Sequence, residues 1–399
     1  MTELQTPVPA GRARLGIAAN PTLDSWQEAP DNRWVFRHVE ELLPSAAVLS
    51  SPVGARRASQ GLGSLAAVPA LSDRLEALCT DALLVERGGR VIGEWYADGF
   101  GPHRTHLLMS VSKSLCGILV GALLDEGLLD PQTEAARYVP RLAGSAYGDA
   151  TIQQLLDMVA AADYSEDYTD PASEVQAHDR AANWRTPRPG DPVDTFAFIA
   201  GLTRSREHGE RFQYCSAVTD TLGWIVEAVT GNRYADELSD RLWSKLGADH
   251  DARVSVDRGG CALANGGVSC TARDLARVGR LMLNGGTAAG DPAAGIEGAG
   301  AQRIVSEAWV RQTLDGGDPA LAAASANRAV FPGLSYRNQW WSTGNERGNV
   351  YAVGIHGQYV WLDPLTDTVI VKFSTLPDPV RTVDLQAHVE LFSDVLAAG

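Results

Sequence analysis

The sequence predicts an α+β protein, an α/β sandwich on an antiparallel sheet drawn from the N- and C-terminal segments, with a mostly helical domain inserted between them. Three observations predict it. Strand patterns cluster near both ends, helical spacing fills the middle, and a short hairpin precedes the longest apolar run, Leu115 to Leu124. Such a layering gives each element one face to bury and leaves a cleft between the two parts as the place for an active site.

Taken in order, residues 1–20 read as a flexible arm; Pro7, Pro9, Arg12 and Arg14 interrupt it, and no apolar run marks a signal peptide. The α/β domain is expected over 21–129 and 285–399, and the helical domain over 130–284. Trp34 to Leu43 has helical spacing, 50–70 is a loop rich in Ser, Gly, Ala and Arg, and Leu71 to Cys79 is a helix. Ala82–Arg87 and Arg90–Tyr96 form a hairpin, because Gly88-Gly89 supplies the backbone freedom a two-residue turn needs. Helices are expected at Ile152–Met158, Thr195–Leu202, Thr219–Thr230, Tyr234–Leu246, Thr271–Leu283 and Glu307–Leu314. Gly285 to Gly300 lacks periodicity and reads as a surface loop. Strands follow at Gln339–Thr343, Val350–Trp361 and Thr368–Ser374, with a turn at Asp363–Asp367 and a final helix over Leu385–Ala397.

Composition narrows the function. A net charge of −15 disfavours nucleic acid and anionic membrane as partners and favours a cationic amine over an anion. Five cysteines, odd in number and without a C-x-x-C pair, fit a reduced, cytoplasmic setting. The longest apolar run is too short to span a bilayer. The eight histidines show no metal-ligand spacing and no nucleotide loop is present, so neither metal nor cofactor is expected.

The chemistry concentrates at Leu108-Met109-Ser110-Val111-Ser112-Lys113, where a helix begins that should stop at Gly127. Residues three apart share a helix face, so Ser110 and Lys113 project side by side. A serine hydroxyl needs a base to become a nucleophile, and a desolvated lysine can be that base. Of 34 Lys+Arg only Lys113, Lys245 and Lys372 are lysine, leaving 34 − 3 = 31 arginines. Arginine cannot lose its proton and lysine can, so a lysine at the mouth of an apolar helix carries information. The plainer reading is a surface lysine in a first turn, where the helix dipole disfavours it.

Tyr214-Cys215-Ser216 precedes a helix, and Tyr214 is either a half-buried core tyrosine or a proton relay held beside Ser110. Together with the strand Ala352-Val353-Gly354-Ile355-His356-Gly357-Gln358, the order Ser-x-x-Lys, Tyr-x-Ser, strand resembles the serine β-lactamase/penicillin-binding superfamily, nearest to its class C and esterase branch. The stretches Pro21–Trp34, Leu107–Gly117, Tyr168–Arg180, Phe212–Ser216, Asn265–Arg280, Asn345–Gly357 and Trp361–Pro364 resemble its nylon-oligomer hydrolases, the 6-aminohexanoate-dimer hydrolase family. The likeness spans the chain from about residue 20 and is weakest in 50–70, 287–303 and after Pro379.

The resemblance implies a β-lactamase-like fold and hydrolysis of small amides or esters through an acyl-enzyme. It makes Ser110 the nucleophile, Lys113 its base and Tyr214 the relay to the leaving amine, with the backbone N–H groups of Ser110 and Ile355 as the oxyanion hole. It implies substrate contacts from Tyr168 near the scissile amide, Asp179 near a cationic amino end, and Asn265 at the pocket wall. A homodimer is left open. On the residues alone, the plainer reading of Asp179 is a loop acid paired with Arg180 or Arg185, and His356 reads as structural rather than as a base.

Two departures matter. Where the superfamily usually has Lys-Thr-Gly, a carboxylate anchor, this chain has Ala352-Val353-Gly354, so β-lactam and D-Ala-D-Ala substrates should be poor. Val380, after Pro377-Asp378-Pro379, offers no charge or hydrogen bond where the nylon-oligomer enzymes can tune their substrate. The expected activity is amide hydrolysis of linear 6-aminohexanoate dimers. The alternative is a short-chain carboxylesterase with little amidase activity, and a binding protein without catalysis is the reading from a different class.

Overall fold

The computed structural model describes residues 21–51, 61–288 and 301–398; the expected arm and parts of the two expected loops lie outside the described residues. A seven-stranded antiparallel sheet forms the centre, in the order β3-β2-β13-β12-β11-β10-β9. Its N-terminal strands are β2 (Thr80–Arg87) and β3 (Arg90–Tyr96). Its C-terminal strands are β9 (Ser335–Arg337), β10 (Trp340–Ser342), β11 (Val350–Gly354), β12 (Gln358–Asp363) and β13 (Thr368–Ser374). The join between the two ends is the β2–β13 pair, with Val85 opposite Ile370. Both strands are buried nearly end to end, which is why they read as continuous apolar runs.

A second sheet of four short strands, ordered β1-β5-β6-β4, was not visible in the sequence. It joins β1 (Ser45–Val48) and β4 (His106–Leu107) to β5 (Ala252–Ser255) and β6 (Val268–Cys270). Strands of two to four residues carry too few alternations to show a period, and β1 and β4 pair with strands far along the chain, Ser45 with Ser255 and His106 with Cys270. A third pair, β7 (Thr287–Ala288) with β8 (Gln302–Arg303), closes on itself.

Four helices matter for the site. Helix α1 (Val111–Asp125) is buried on every side through Leu123, as an all-apolar helix must be, and ends before Gly127 at φ +72°. Helix α2 (Glu174–Ala181) was missed because its sequence is polar and short. Helix α3 (Ser216–Thr230) begins three residues earlier than its apolar pattern, and α4 (Thr382–Ala398) packs on the sheet. The expected single strand Val350–Trp361 is a hairpin instead: Gly354 pairs with Gln358, and His356 at φ +63° and Gly357 at φ +92° make the turn. The expected helix Trp34–Leu43 is a turn of α-helix at Asp31–Val35 and a 3₁₀ turn at Val39–Glu41.

No helix among the described residues is long and apolar enough to cross a membrane, and no cluster among them could hold a metal ion. All five cysteines are free thiols.

A second lysine is buried under α4. Lys372, fully buried on β13, hydrogen-bonds Ser374 Oγ and lies 3.0 Å from His388 Nε2. His388 Nδ1 lies 2.6 Å from the Asp384 carbonyl and donates to it, which leaves Nε2 as an acceptor for the amine. Burial pushes the Lys372 amine down to about 7, against the attraction of Asp81, Cys79 and Asp384, and holds His388 well below its ordinary value. Between pH 7 and the unfolded value near ~10.4, the unfolded chain keeps a proton that the folded chain has released, so this group makes stability rise with pH across that window. Lys372→Met should therefore raise the Tm at pH 7 by on the order of 2 °C or more and flatten its climb towards pH 9.5. Parallel Tm–pH curves for the two proteins would refute this.

Candidate active site

Ser110 stands at the N-cap of α1, directly after Met109, whose φ of +47° is a left-handed conformation that costs a non-glycine residue about 1–3 kcal/mol. That kink turns the chain from β4 into the helix; Leu108 is tied to Val268 O at 2.8 Å and Val111 back to Leu108 O. Ser110 thus sits where unpaired helix N–H groups make the environment favourable to negative charge.

One turn on, Lys113 is 1 % exposed. Its Nζ lies 2.9 Å from Ser110 Oγ, 3.1 Å from Ser216 Oγ and 2.8 Å from the Asn265 carbonyl. These contacts fix the direction of its lone pair. A carbonyl can only accept. Ser216 Oγ gives its single hydrogen to Glu166 Oε1, so towards Lys113 it can only accept as well. A neutral amine has two hydrogens for those two acceptors, and its lone pair is left facing Ser110. Burial lowers the Lys113 pKa, opposed by the negative charges of Glu166, Asp220 and Asp179 and by Cys215. The site therefore promotes the neutral form that can take a proton.

Tyr214 reaches the same oxygen from the other side; its hydroxyl is hydrogen-bonded to Ser110, and Lys113 Nζ sits 5.2 Å from its ring centre. The ring stacks on Trp341 at 5.7 Å and 16° and meets Tyr336 edge-on, so an aromatic cluster holds it. Burial raises its pKa, and the hydroxyl stays protonated and able to donate.

The end of β11 packs against this helix start. A Cβ on Gly354 would come within 2.5 Å of Leu108 O and 3.0 Å of Ser110 N, both backbone atoms. Ile355 follows immediately, and among the described residues neither its N–H nor that of Ser110 donates a hydrogen bond within the protein. Two free backbone donors flanking a serine hydroxyl can receive a carbonyl oxygen that gains negative charge.

The cavity here, about 720 Å³, is lined by Ser110, Tyr214 and Val353 to Ile355, and the segment Glu166 to Thr169 supplies a further wall. Tyr168 lies on that wall with its hydroxyl 2.7 Å from Glu166 Oε1. Val380, 63 % exposed, forms part of the lip, and Val353 occupies the wall where an anion anchor would stand. His356 is buried, bonded through Nδ1 to Leu376 O at 2.7 Å and set edge-on to Phe36, with burial pushing its pKa down to about 4. It braces the hairpin turn.

Asp179 is not on the cavity wall. Its Oδ2 lies 3.3 Å from both Arg185 Nε and Gln27 Nε2, the ion pair that the residues alone favoured. Burial raises its pKa and Arg185 opposes this. Asn265 belongs to the site through its backbone carbonyl on Lys113, while its side chain turns away to Asp220 at 2.5 Å. Sequence reasoning assigned nothing to Glu166, Ser216 or Asp220. Ser216 was within reach as the last residue of Tyr-x-Ser; Glu166 and Asp220 carry no pattern of their own.

Residues 71–392 match the Beta-lactamase family, more than half of the chain. The chain belongs to the beta-lactamase family. Among the relatives of this beta-lactamase-family protein, the 6-aminohexanoate-dimer hydrolase of Paenarthrobacter ureafaciens is 56 % identical over 364 residues, 91 % of this chain and 90 % of that one. A solved structure from Bacillus anthracis that provisionally carries the same name superposes with a TM-score of 0.82 at 26 % identity, covering 98 % of each chain. A family VIII carboxylesterase has the fold at TM-score 0.59 and 15 % identity, over 85 % of this chain and 99 % of its own.

Gly354→Ala should drive a methyl group into the backbone at Leu108 and Ser110 and separate the two free donors. Its kcat/KM on a p-nitrophenyl ester should fall about 100-fold or more, with far-UV circular dichroism unchanged. Near-wild-type turnover would show that this pair of N–H groups is not needed.

Proposed function

We propose that the chain is a serine hydrolase that cleaves the amide bond of linear 6-aminohexanoate dimer and related oligomers through an acyl-enzyme. The observation that carries the reading is the buried Lys113 amine, 2.9 Å from Ser110 Oγ with two further acceptors, Ser216 Oγ and the Asn265 carbonyl, on its other sides. The identity of 56 % to a relative named for that substrate supports its substrate class.

In this mechanism Ser110 Oγ attacks the amide carbon as its proton passes to Lys113 Nζ. The carbonyl oxygen takes the electron pair and is held by the N–H groups of Ser110 and Ile355. Tyr214 donates its proton to the leaving nitrogen, and the proton that Lys113 took from Ser110 restores Tyr214, so the amine departs neutral. Water then attacks the ester, giving a proton to the same groups, and Ser110 is regenerated with release of 6-aminohexanoate. Tyr168 borders the scissile bond, Asn265 fixes Lys113, and Asp179 acts on a cationic amino end through the field it adds to the site. The enzyme needs no metal or cofactor, acts in the cytoplasm as the acidic charge and cysteine usage suggest, and is organised as an α/β part (21–129, 285–399) around a helical insert (130–284). A homodimer stays open under this proposal.

A carboxylesterase is the second reading, favoured by one observation: Arg185 and Gln27 already engage the carboxylate proposed to meet the substrate ammonium. An ester also asks less of Tyr214, because an alkoxide leaves more easily than an amine anion.

The deciding experiment follows free 6-aminohexanoate released from its linear dimer beside turnover of a p-nitrophenyl acyl ester. Both activities should vanish in Ser110→Ala and in Lys113→Arg, since a guanidinium cannot act as base. Tyr214→Phe should lower amide turnover about 100-fold and ester turnover far less. A silent dimer with an active ester would select the esterase; an active Ser110→Ala would end the serine mechanism.

A further inference from the structure

Behind Lys113 lies a carboxylate that the mechanism above does not use. Asp220, on the second turn of α3, is 1 % exposed. Its Oδ1 accepts the Asn265 backbone N–H at 2.8 Å and its Oδ2 the Asn265 side-chain amide at 2.5 Å, so one acid grips one residue twice. The same Asn265 presents its carbonyl to Lys113 Nζ at 2.8 Å. Asp220 Oδ2 is also 3.1 Å from His178 Nε2, though the two are not aligned as a hydrogen bond. His178 is stacked on Phe198 at 4.8 Å and lies on α2 beside Asp179.

We propose that Asp220 is a positioning residue of the hydrolase, which holds the Asn265 carbonyl against Lys113 and supplies a fixed negative charge behind that amine. The proposal rests on the Ser110–Lys113 reading. The Asn265 N–H and side chain are both bound to Asp220, which anchors the residue at its Cα, and from that anchored position its carbonyl meets Lys113 Nζ. Without that acceptor, the amine would have a hydrogen to spare and could turn it, rather than its lone pair, towards Ser110.

The charge acts in a crowded field. Glu166, Asp179 and Cys215 also face Lys113, with the Tyr214 ring over it, while His178, Cys116 and Tyr234 face Asp220. Asp220 ranks after Glu166 among the groups that oppose the loss of the Lys113 proton. Removing it leaves the desolvation of Lys113 in place and takes away part of what opposes it, so the amine should lose its proton at lower pH.

The test is kcat/KM against pH on a p-nitrophenyl ester for the wild type, Asp220→Asn, Asp220→Glu and Ser110→Ala. In Asp220→Asn the acid limb should move down by about half a pH unit or more, and the plateau should drop about tenfold because Asn265 loses its grip. Asp220→Glu keeps the charge but displaces Asn265, so the plateau should drop while the limb stays near its wild-type position. A plateau loss in Asp220→Asn with an unmoved limb, Ser110→Ala being inactive, would overturn this proposal alone. Turnover by Ser110→Ala would overturn it together with the serine mechanism. If Asp220→Asn does not fold, Asn265→Ala removes one of the two ties and leaves the charge; it should cost several-fold in kcat, and an undiminished kcat would overturn the positioning role.

Discussion

Lys113 directs its whole hydrogen-bonding capacity at Ser110 Oγ, Ser216 Oγ and the Asn265 carbonyl, in a place that water scarcely reaches, and much of the surrounding architecture follows from that requirement. An amine buried among apolar groups would simply stay neutral, and one beside an uncompensated carboxylate would stay charged. Here the nearest acid, Glu166, stands behind Ser216 and is already occupied by the Ser216 N–H, the Ser216 hydroxyl and Tyr168. Its field reaches Lys113, but its oxygens do not. The result is an amine whose proton is loosened by burial, beside a serine at a strained helix start.

Each partner comes from a different part of the chain, so the constellation exists only when the layers close. Ser110 and Lys113 come from α1, Ser216 from the start of α3, Asn265 from the loop before β6, and Ile355 from the β11–β12 turn. The fully buried α1 is the common reference. Because it is apolar on every side, it must be enclosed by all of these elements at once, and enclosing it brings them together. Gly354 shows how close the fit is, since one methyl group there would meet the backbone at Leu108 and Ser110.

This explains which parts of the molecule could be read from sequence. The β2–β3 hairpin, β13 and the start of α1 announce themselves through local chemistry: a Gly-Gly turn, the β-branched run Val369-Ile370-Val371, and Ser-x-x-Lys before an apolar helix. Ser110, Lys113 and Tyr214 were legible because their spacing is local and their types are chemically constrained. The second sheet was not, because its strands are short and paired across the chain. The turn at Ile355–Gly357 was hidden because Gly354 to Gly357 can continue a strand as easily as reverse it, and only the pairing of Gly354 with Gln358 decides. Glu166 and Asp220 were invisible for another reason: an acid acquires its role from what it faces after folding, and neither has a motif.

Asp179 lies off the cavity wall, yet its charge bears on residues of the site. Its pairing with Arg185 and Gln27 takes up one oxygen's contacts, yet its charge is felt at Lys113 and at Tyr168. The cavity itself carries mixed charge: Glu166, Asp167 and Asp384 line it together with Arg211 and Arg381. Val353 offers no hydrogen bond on its side of the cavity, and Tyr214, Trp341, Val353 and Ile355 give it an aromatic and aliphatic lining against which an acyl chain can fit. Substrate preference can drift from amide to ester without moving Ser110, Lys113 or Tyr214, because the groups that distinguish those substrates lie behind the site and at its lip.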